Sequence, residues 1–195
     1  MNFGITTSFV VGGLLLLAML HLNSQVLQNS AEITLNAKDK SEVETIRQII
    51  TQDIKRIGFG NNSSIATFNP PHFINFRADV YGQGTSQIIW HFQENVQVNK
   101  TTNPDDRILK RNGPIDSSGG SKPTNFHVVD FSMTGYSDAQ GTNVTTDRNE
   151  IRSIRVKIVT ESPEPLNRAN GQNYYPRTVW EKLIVPTNLQ FGNSN

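Results

Sequence analysis

Apolar and polar positions follow three successive patterns along this chain. From Ile5 to Leu22 no side chain is charged, and the stretch is dominated by Leu, Val, Ile and Phe. Such a run predicts a helix that is apolar all round. At 1.5 Å per residue its 18 residues reach about 27 Å, enough for a bilayer core. Apolar positions then thin out at Val26, Leu27, Ile33 and Leu35, with no Pro to break a helix. In the next stretch Val43, Ile46, Ile50, Ile54 and Ile57 recur at spacings of 3, 4, 4 and 3, the signature of one helix face. Glu42, Glu44, Arg47, Gln48, Gln52, Lys55 and Arg56 occupy other positions, and Glu44/Gln48 and Gln52/Arg56 are i,i+4 pairs on the wet side. Gly58 and Gly60 are stop signals. The pattern predicts one helix from Ile5 to Ile57, about 80 Å long at the same rise.

After Gly60 the period changes to 2. Ile74, Phe76, Ala78 and Val80 alternate with polar residues, as do Ile88, Trp90 and Phe92, and Ile154, Val156 and Ile158; Phe126–Tyr136 and Val179–Val185 are further strand candidates. Breaks are expected at Asn69-Pro70-Pro71, Tyr81–Gly84, Asn112-Gly113-Pro114, Ser117–Ser121 and Ser162–Pro165. No strand is followed by a helical pattern, so βαβ units are not expected. The expectation is α+β: an antiparallel sheet with one wet face, packed on the amphipathic end of a single long helix. The pattern divides the chain into 1–30, the hydrophobic half of the helix, and 31–195, its amphipathic half plus the sheet. There is no fixed-period repeat.

Charge sharpens this division. All 18 Lys and Arg and all 17 Asp and Glu fall at or after Glu32. The net charge of +1 supplies no electrostatic footprint for nucleic acid. With no cysteine, a disulfide framework, a thiol nucleophile and thiolate metal sites are excluded. Three readings of the leading segment stand open. It is a cleaved secretory signal, although no Lys or Arg precedes it and Ala18–Ser24 makes a poor cleavage site. It is an ordinary signal anchor, whose following basic residues would favour a cytoplasmic domain if the charge rule held for long domains. Or it is a helix whose charged leader has already been removed.

Several blocks resemble the type IV pilin-like family, in particular the large minor pilins of the W type and the minor pseudopilin J of type II secretion. Gly13–Leu20 is similar to their Gly-Leu-rich membrane helix. Thr51–Gly60 is similar to the Arg-Asp-Ile-Arg-x-Ala-Gly-Tyr block that ends that helix. Ile108–Arg111 resembles a Leu-x-Arg strand, Val128–Tyr136 a Val-x-x-Phe-x-x-x-Tyr strand, Ile151–Ile158 an Ile-x-x-Val-x-Val strand, and Val185–Leu189 the final Arg-Asn-Leu. The resemblance implies a long N-terminal helix on an antiparallel sheet in a structural, non-enzymatic subunit of a bacterial envelope filament. It also implies residence in the inner membrane before assembly, with other pilin-like subunits as partners through that helix. The helix positions so implicated are Ile5, Phe9, Val10, Val11, Gly12, Gly13, Leu14, Leu17 and Leu20; those for helix–sheet packing are Val43, Ile46, Ile50, Ile54 and Ile57. Family members carry a basic leader and a glutamate at the fifth mature position, thought to meet a neighbour's N-terminal amine. With Met1 as first mature residue, Gly13 falls in register with the family's glycine and Ile5 stands where the glutamate would be. The chain then reads as a degenerate member, a tip subunit lacking the glutamate, or a relative exported by another route. The alternative is a single-span, membrane-anchored extracytoplasmic binding domain that never polymerises.

Candidate chemistry is sparse. The four histidines, His21, His72, His91 and His127, have no i+3 or i+4 ligand partner. Asp138, Asn143 and Asp147, around Gly141, place oxygen ligands in a loop that could wrap calcium. They do not follow EF-hand spacing, and a polar hairpin loop is the simpler reading. Asn103-Pro104-Asp105-Asp106 reads as a turn before it reads as a carboxylate dyad. Trp90 and Trp180 lie in apolar strand patterns and are core candidates; Tyr174-Tyr175-Pro176 is a candidate exposed contact patch. No nucleophile elbow, P-loop or dinucleotide fingerprint occurs, so no cofactor is expected.

Overall fold

The computed structural model describes residues 3–60, 64–117, 120–167 and 173–190, without the side chains of residues 3, 31, 35, 36, 38, 39 and 190. It divides into two compact units, Met1–Lys38 and Asp39–Asn195. The helix α1 (Phe3–Lys55) contributes to both. The change of apolar pattern suggests a boundary near residue 30, whereas the compact units divide at Lys38.

The first unit is helix throughout its described residues. Its uninterrupted Leu and Val content and the absence of Pro account for this; Gly12 and Gly13 cost little where every neighbour supports the helix. The side chain of Leu35 lies outside the described residues, whereas Val26, Leu27 and Ile33 are exposed.

In the second unit α1 ends at Lys55 and unwinds through a turn in which the Ile57 N–H donates to the Ile54 carbonyl (3.1 Å) and the Phe59 N–H to the Arg56 carbonyl (2.9 Å). Gly58 follows at φ +88°, a left-handed conformation suited to a residue without Cβ. A Cβ there would also meet that of Asn188 at 2.9 Å, in the 3₁₀ turn Thr187–Gln190. That turn thus closes over the helix end.

Among the described residues ten strands follow: β1 (Ile65–Asn69), β2 (Phe73–Ala78), β3 (Ser86–Gln97), β4 (Arg107–Pro114), β5 (Ser121–Val128), β6 (Asp130–Tyr136), β7 (Ser153–Glu161), β8 (Leu166–Asn167), β9 (Asn173–Tyr174) and β10 (Arg177–Ile184). All pairings are antiparallel. The expected single sheet is in fact two principal sheets, ordered β1-β2-β3-β4-β5 and β10-β7-β6, with a small β8-β9 hairpin. The strand expected over Phe126–Tyr136 is interrupted at Val129, whose N–H donates to the Val159 carbonyl at 2.8 Å as the chain passes from one sheet to the other. Phe126 and Val128 are buried before that step, Phe131 and Met133 after it, so the inward parity changes there. Asn112-Gly113-Pro114, expected as a break, closes β4 instead, and Val80 lies just beyond β2. Gly113 is buried, and a Cβ on it would approach Ile88 to 3.3 Å and the Arg111 guanidinium carbon to 3.4 Å, so close approach explains the glycine.

One core joins the helix end to both sheets. Ile46, Ile50, Ile54 and Ile57 are fully buried and cluster with Ile74, Phe76, Ile88, Trp90 and Leu109 of the larger sheet and Phe131, Val156, Ile158 and Ile184 of the smaller. Val43 is also buried. The register sets Trp90 opposite both Ile74 and Arg111, on the face that meets the helix.

Candidate functional site: an open apolar helix and a buried clamp

The residues Gly4–Thr34 form a helical stretch long and apolar enough to cross a membrane, and none of its described side chains is buried within the chain. Ile5, Phe9, Val10, Val11, Leu14, Leu17 and Leu20 are each more than half exposed, Phe9 at 78%. Water is a poor solvent for such a surface, since each exposed apolar Å² costs about 25 cal/mol relative to burial. Its polar groups are partly hidden by local bonds: the Ser8 hydroxyl donates to the Gly4 carbonyl and the Thr34 hydroxyl to the Ser30 carbonyl, both at 2.8 Å. Hydroxyls bonded back to the preceding turn suit an apolar medium, where no water is present to satisfy them. A Cβ on Gly12 or Gly13 would meet nothing within 4 Å, so the surface there is free for a close neighbour.

The second feature lies where α1 enters the core. Asp53, one turn after Ile50 and one before Ile57, sits on the buried face and is only 2% exposed. Arg111 of β4 donates from Nε to Asp53 Oδ2 at 2.7 Å and from Nη2 to Oδ1 at 3.0 Å. The Trp90 indole N–H also donates to Oδ2, at 2.9 Å, and Arg111 Nη1 donates to the Pro114 carbonyl at 3.1 Å. Both carboxylate oxygens and all three guanidinium nitrogens are therefore engaged, which is the condition for tolerating buried charge. The two-pronged geometry fixes the rotation of the helix about its axis more sharply than apolar contacts alone. Sequence reading assigned neither residue. The available signal was an acid at helical spacing from Ile50 and Ile57, where an unpaired charge would be untenable.

The loop carrying Asp138, Asn143 and Asp147 uses its oxygens internally. Asp138 accepts the Thr142 N–H (3.1 Å), the Thr142 hydroxyl (3.0 Å) and the Asn143 N–H (2.6 Å). Desolvation pushes its carboxyl up but is outweighed by these bonds and one from Gly141, and the pKa falls to about 2. Asp147 accepts the Asn149 N–H at 2.9 Å. Among the described residues no three His, Cys, Asp or Glu side chains gather as a metal site.

The other singled-out residues are dispersed. His72 pairs with Glu94 at 3.0 Å, and the His91 ring stands edge-on to Phe73. Trp90 is in the core and Trp180 is packed against it. Tyr174 is 40% exposed, whereas the Tyr175 hydroxyl donates to the Thr102 carbonyl at 2.9 Å. A polar groove of about 650 Å³ runs between His72, Glu94, Asp105, Arg107, Asp130 and Arg177. Its arginines are engaged: Arg177 reaches Glu161 (3.2 Å), and Arg107 donates to the carbonyls of Glu94, Pro104 and Asp106, while Asp130 is met by Lys157 (3.3 Å).

Comparison with protein-family models, with curated proteins and with solved structures finds no match to this chain.

Proposed function

We propose that the chain is a pilin-like structural subunit of a bacterial envelope filament, assembling through its N-terminal helix. The observation that carries the reading is the stretch Ile5–Leu22, uncharged, apolar all round and unburied, within the same helix whose later turns are buried in an antiparallel core. In a bilayer that surface is solvated by lipid. In a filament it would exchange lipid for the apolar side chains of like helices, at little cost in free energy. The ordered blocks from Gly13–Leu20 to Val185–Leu189 favour the same reading, and the sheet unit would be displayed outward.

The second reading is a single-span anchor that carries the sheet domain without polymerising. The same exposed apolar stretch is compatible with it, because a bilayer alone would cover that surface. Removal of the protein from its cells distinguishes them. The filament reading expects fewer or altered surface filaments, or a loss of secretion or adhesion, restored by complementation. Filaments, secretion and adhesion all unchanged would contradict it.

A further inference from the structure

Away from the Asp53 clamp, a second group of carboxylates gathers where α1, β4, β5 and β7 converge. Asp106, immediately before β4, is 2% exposed, and its Oδ2 has no hydrogen-bond partner. An ionised carboxylate there has little water and no well-formed hydrogen bond at Oδ2, with only the nearby Thr101 hydroxyl to offset it, an arrangement in which buried charge is poorly tolerated. The groups acting on it come from three elements: His127 from β5, Glu42 from α1 and Glu161 from β7. Two of these are acids. Glu42 in turn accepts the His127 backbone N–H at 3.5 Å, and Glu161 is held by Asn103 Nδ2 at 3.1 Å and by Arg177 at 3.2 Å.

Asp106 is also the root of a strap formed by residues 98–106. The Val98 N–H donates to the Asp106 carbonyl at 3.2 Å. Asn103, itself buried, donates to the Ser162 carbonyl at 3.2 Å, and the Thr102 N–H and hydroxyl both donate to the Pro163 carbonyl, at 3.0 and 2.9 Å. The strap thus lies over the exit of β7, with the buried Asp106 carboxyl at its root.

We propose that Asp106, with Glu42, His127 and Glu161 around it, forms an acid-strengthened clasp that holds the 98–106 strap closed in acidic surroundings and loosens it as the pH rises. In acid, Asp106 is a neutral carboxyl. As the pH rises it becomes a buried negative charge facing the acidic side chains Glu42 and Glu161. Burial raises the Asp106 carboxyl above its ordinary range, more than the Thr101 hydroxyl and the His127 ring lower it. The folded state therefore holds that proton more tightly than the unfolded chain. Strap stability is full below the ordinary value of 3.8, declines as the pH climbs from there to the raised value, and is flat beyond it.

Amide hydrogen exchange of the full chain in detergent micelles, scaled to the rates of an unstructured reference, tests this between pH 4 and pH 7. The strap amides of the parent should open more at pH 7, about tenfold for each pH unit by which the folded value exceeds the unfolded one. Asp106→Asn should match the parent at pH 4, exceed its protection at pH 7 and lose the pH dependence. Glu42→Gln, which removes one repelling charge, should reduce the rise without abolishing it. The clasp is overturned if the parent strap is equally protected at both pH values, if Asp106→Asn keeps the parent's slope, or if that variant fails to fold at pH 4, where it replaces a neutral carboxyl by a neutral amide.

Discussion

Two stretches of α1 are rich in apolar side chains and dispose of them in opposite ways. Between Ile5 and Leu22 they point in every direction and all remain exposed. Val43, Ile46, Ile50 and Ile54 occupy one face and are buried, while Glu44 and Gln48 on the other side bond each other at 2.8 Å. The first stretch has no polar face to turn towards water, and on the proposed reading lipid or like helices cover it. The second has its partner in the two sheets. Helix propensity does not separate them; the arrangement of charge around the helix does.

This contrast yields graded tests. The largest effect is expected at the clamp. Asp53→Ala leaves the Arg111 guanidinium buried and unpaired and should cost about 3–5 kcal/mol in urea unfolding of the full chain. The double variant Asp53→Leu with Arg111→Met removes both charges and should recover much of that loss; a double variant no more stable than Asp53→Ala would show that the pairing is not what matters. Next, Ile50→Ala should cost about 2–5 kcal/mol, because it opens a cavity in a fully buried cluster. Leu16→Ala, in the exposed stretch, should leave unfolding of the sheet unit unchanged. If the two alanine variants behaved alike, the division between the stretches would fail.

A charge in the open stretch gives the reciprocal test. Leu16→Asp should weaken membrane insertion by about 2.5–3.5 kcal/mol, read from the membrane-bound fraction, while sheet unfolding stays at its parent value. The smallest effect belongs to Asp138→Ala. The Asp138 carboxyl lies at about 2 in the folded state against an ordinary 3.8, so its contribution is present above 3.8 and lost as the pH falls towards 2. The variant should be slightly less stable than the parent at pH 6 and indistinguishable from it at pH 2, by thermal unfolding.

Much of the α+β arrangement was legible because it rests on periodicity. The isoleucines of α1 and the alternating residues of β2, β3 and β7 mark their elements directly. The second sheet was hidden by a short connection. Only Val129 separates β5 from β6, with neither Gly nor Pro to announce the step, and the visible trace is the parity change from Phe126 and Val128 to Phe131 and Met133. Asn112-Gly113-Pro114 misled in the other direction, because Gly113 serves close packing against Ile88 and Arg111 rather than a turn. The clamp was legible only in half: Asp53 stood out of place on an apolar face, but its partner lies 58 residues away and could be chosen only by the fold. Asp106 carried no signal at all, since an Asn-Pro-Asp-Asp turn gives no hint that its last carboxyl is buried.

The most direct test of the account uses the chain's lack of cysteine. A single Leu17→Cys substitution in the open stretch gives one defined thiol, and mild oxidation followed by non-reducing electrophoresis reports on its neighbours. Run on material sheared from cells beside the membrane pellet, with partner subunits carrying cysteine at the matching helix depth, the filament account predicts a cross-linked species in the sheared fraction that is lost with Leu17→Ser. The chain found only in the membrane pellet, uncross-linked at that position, would contradict it.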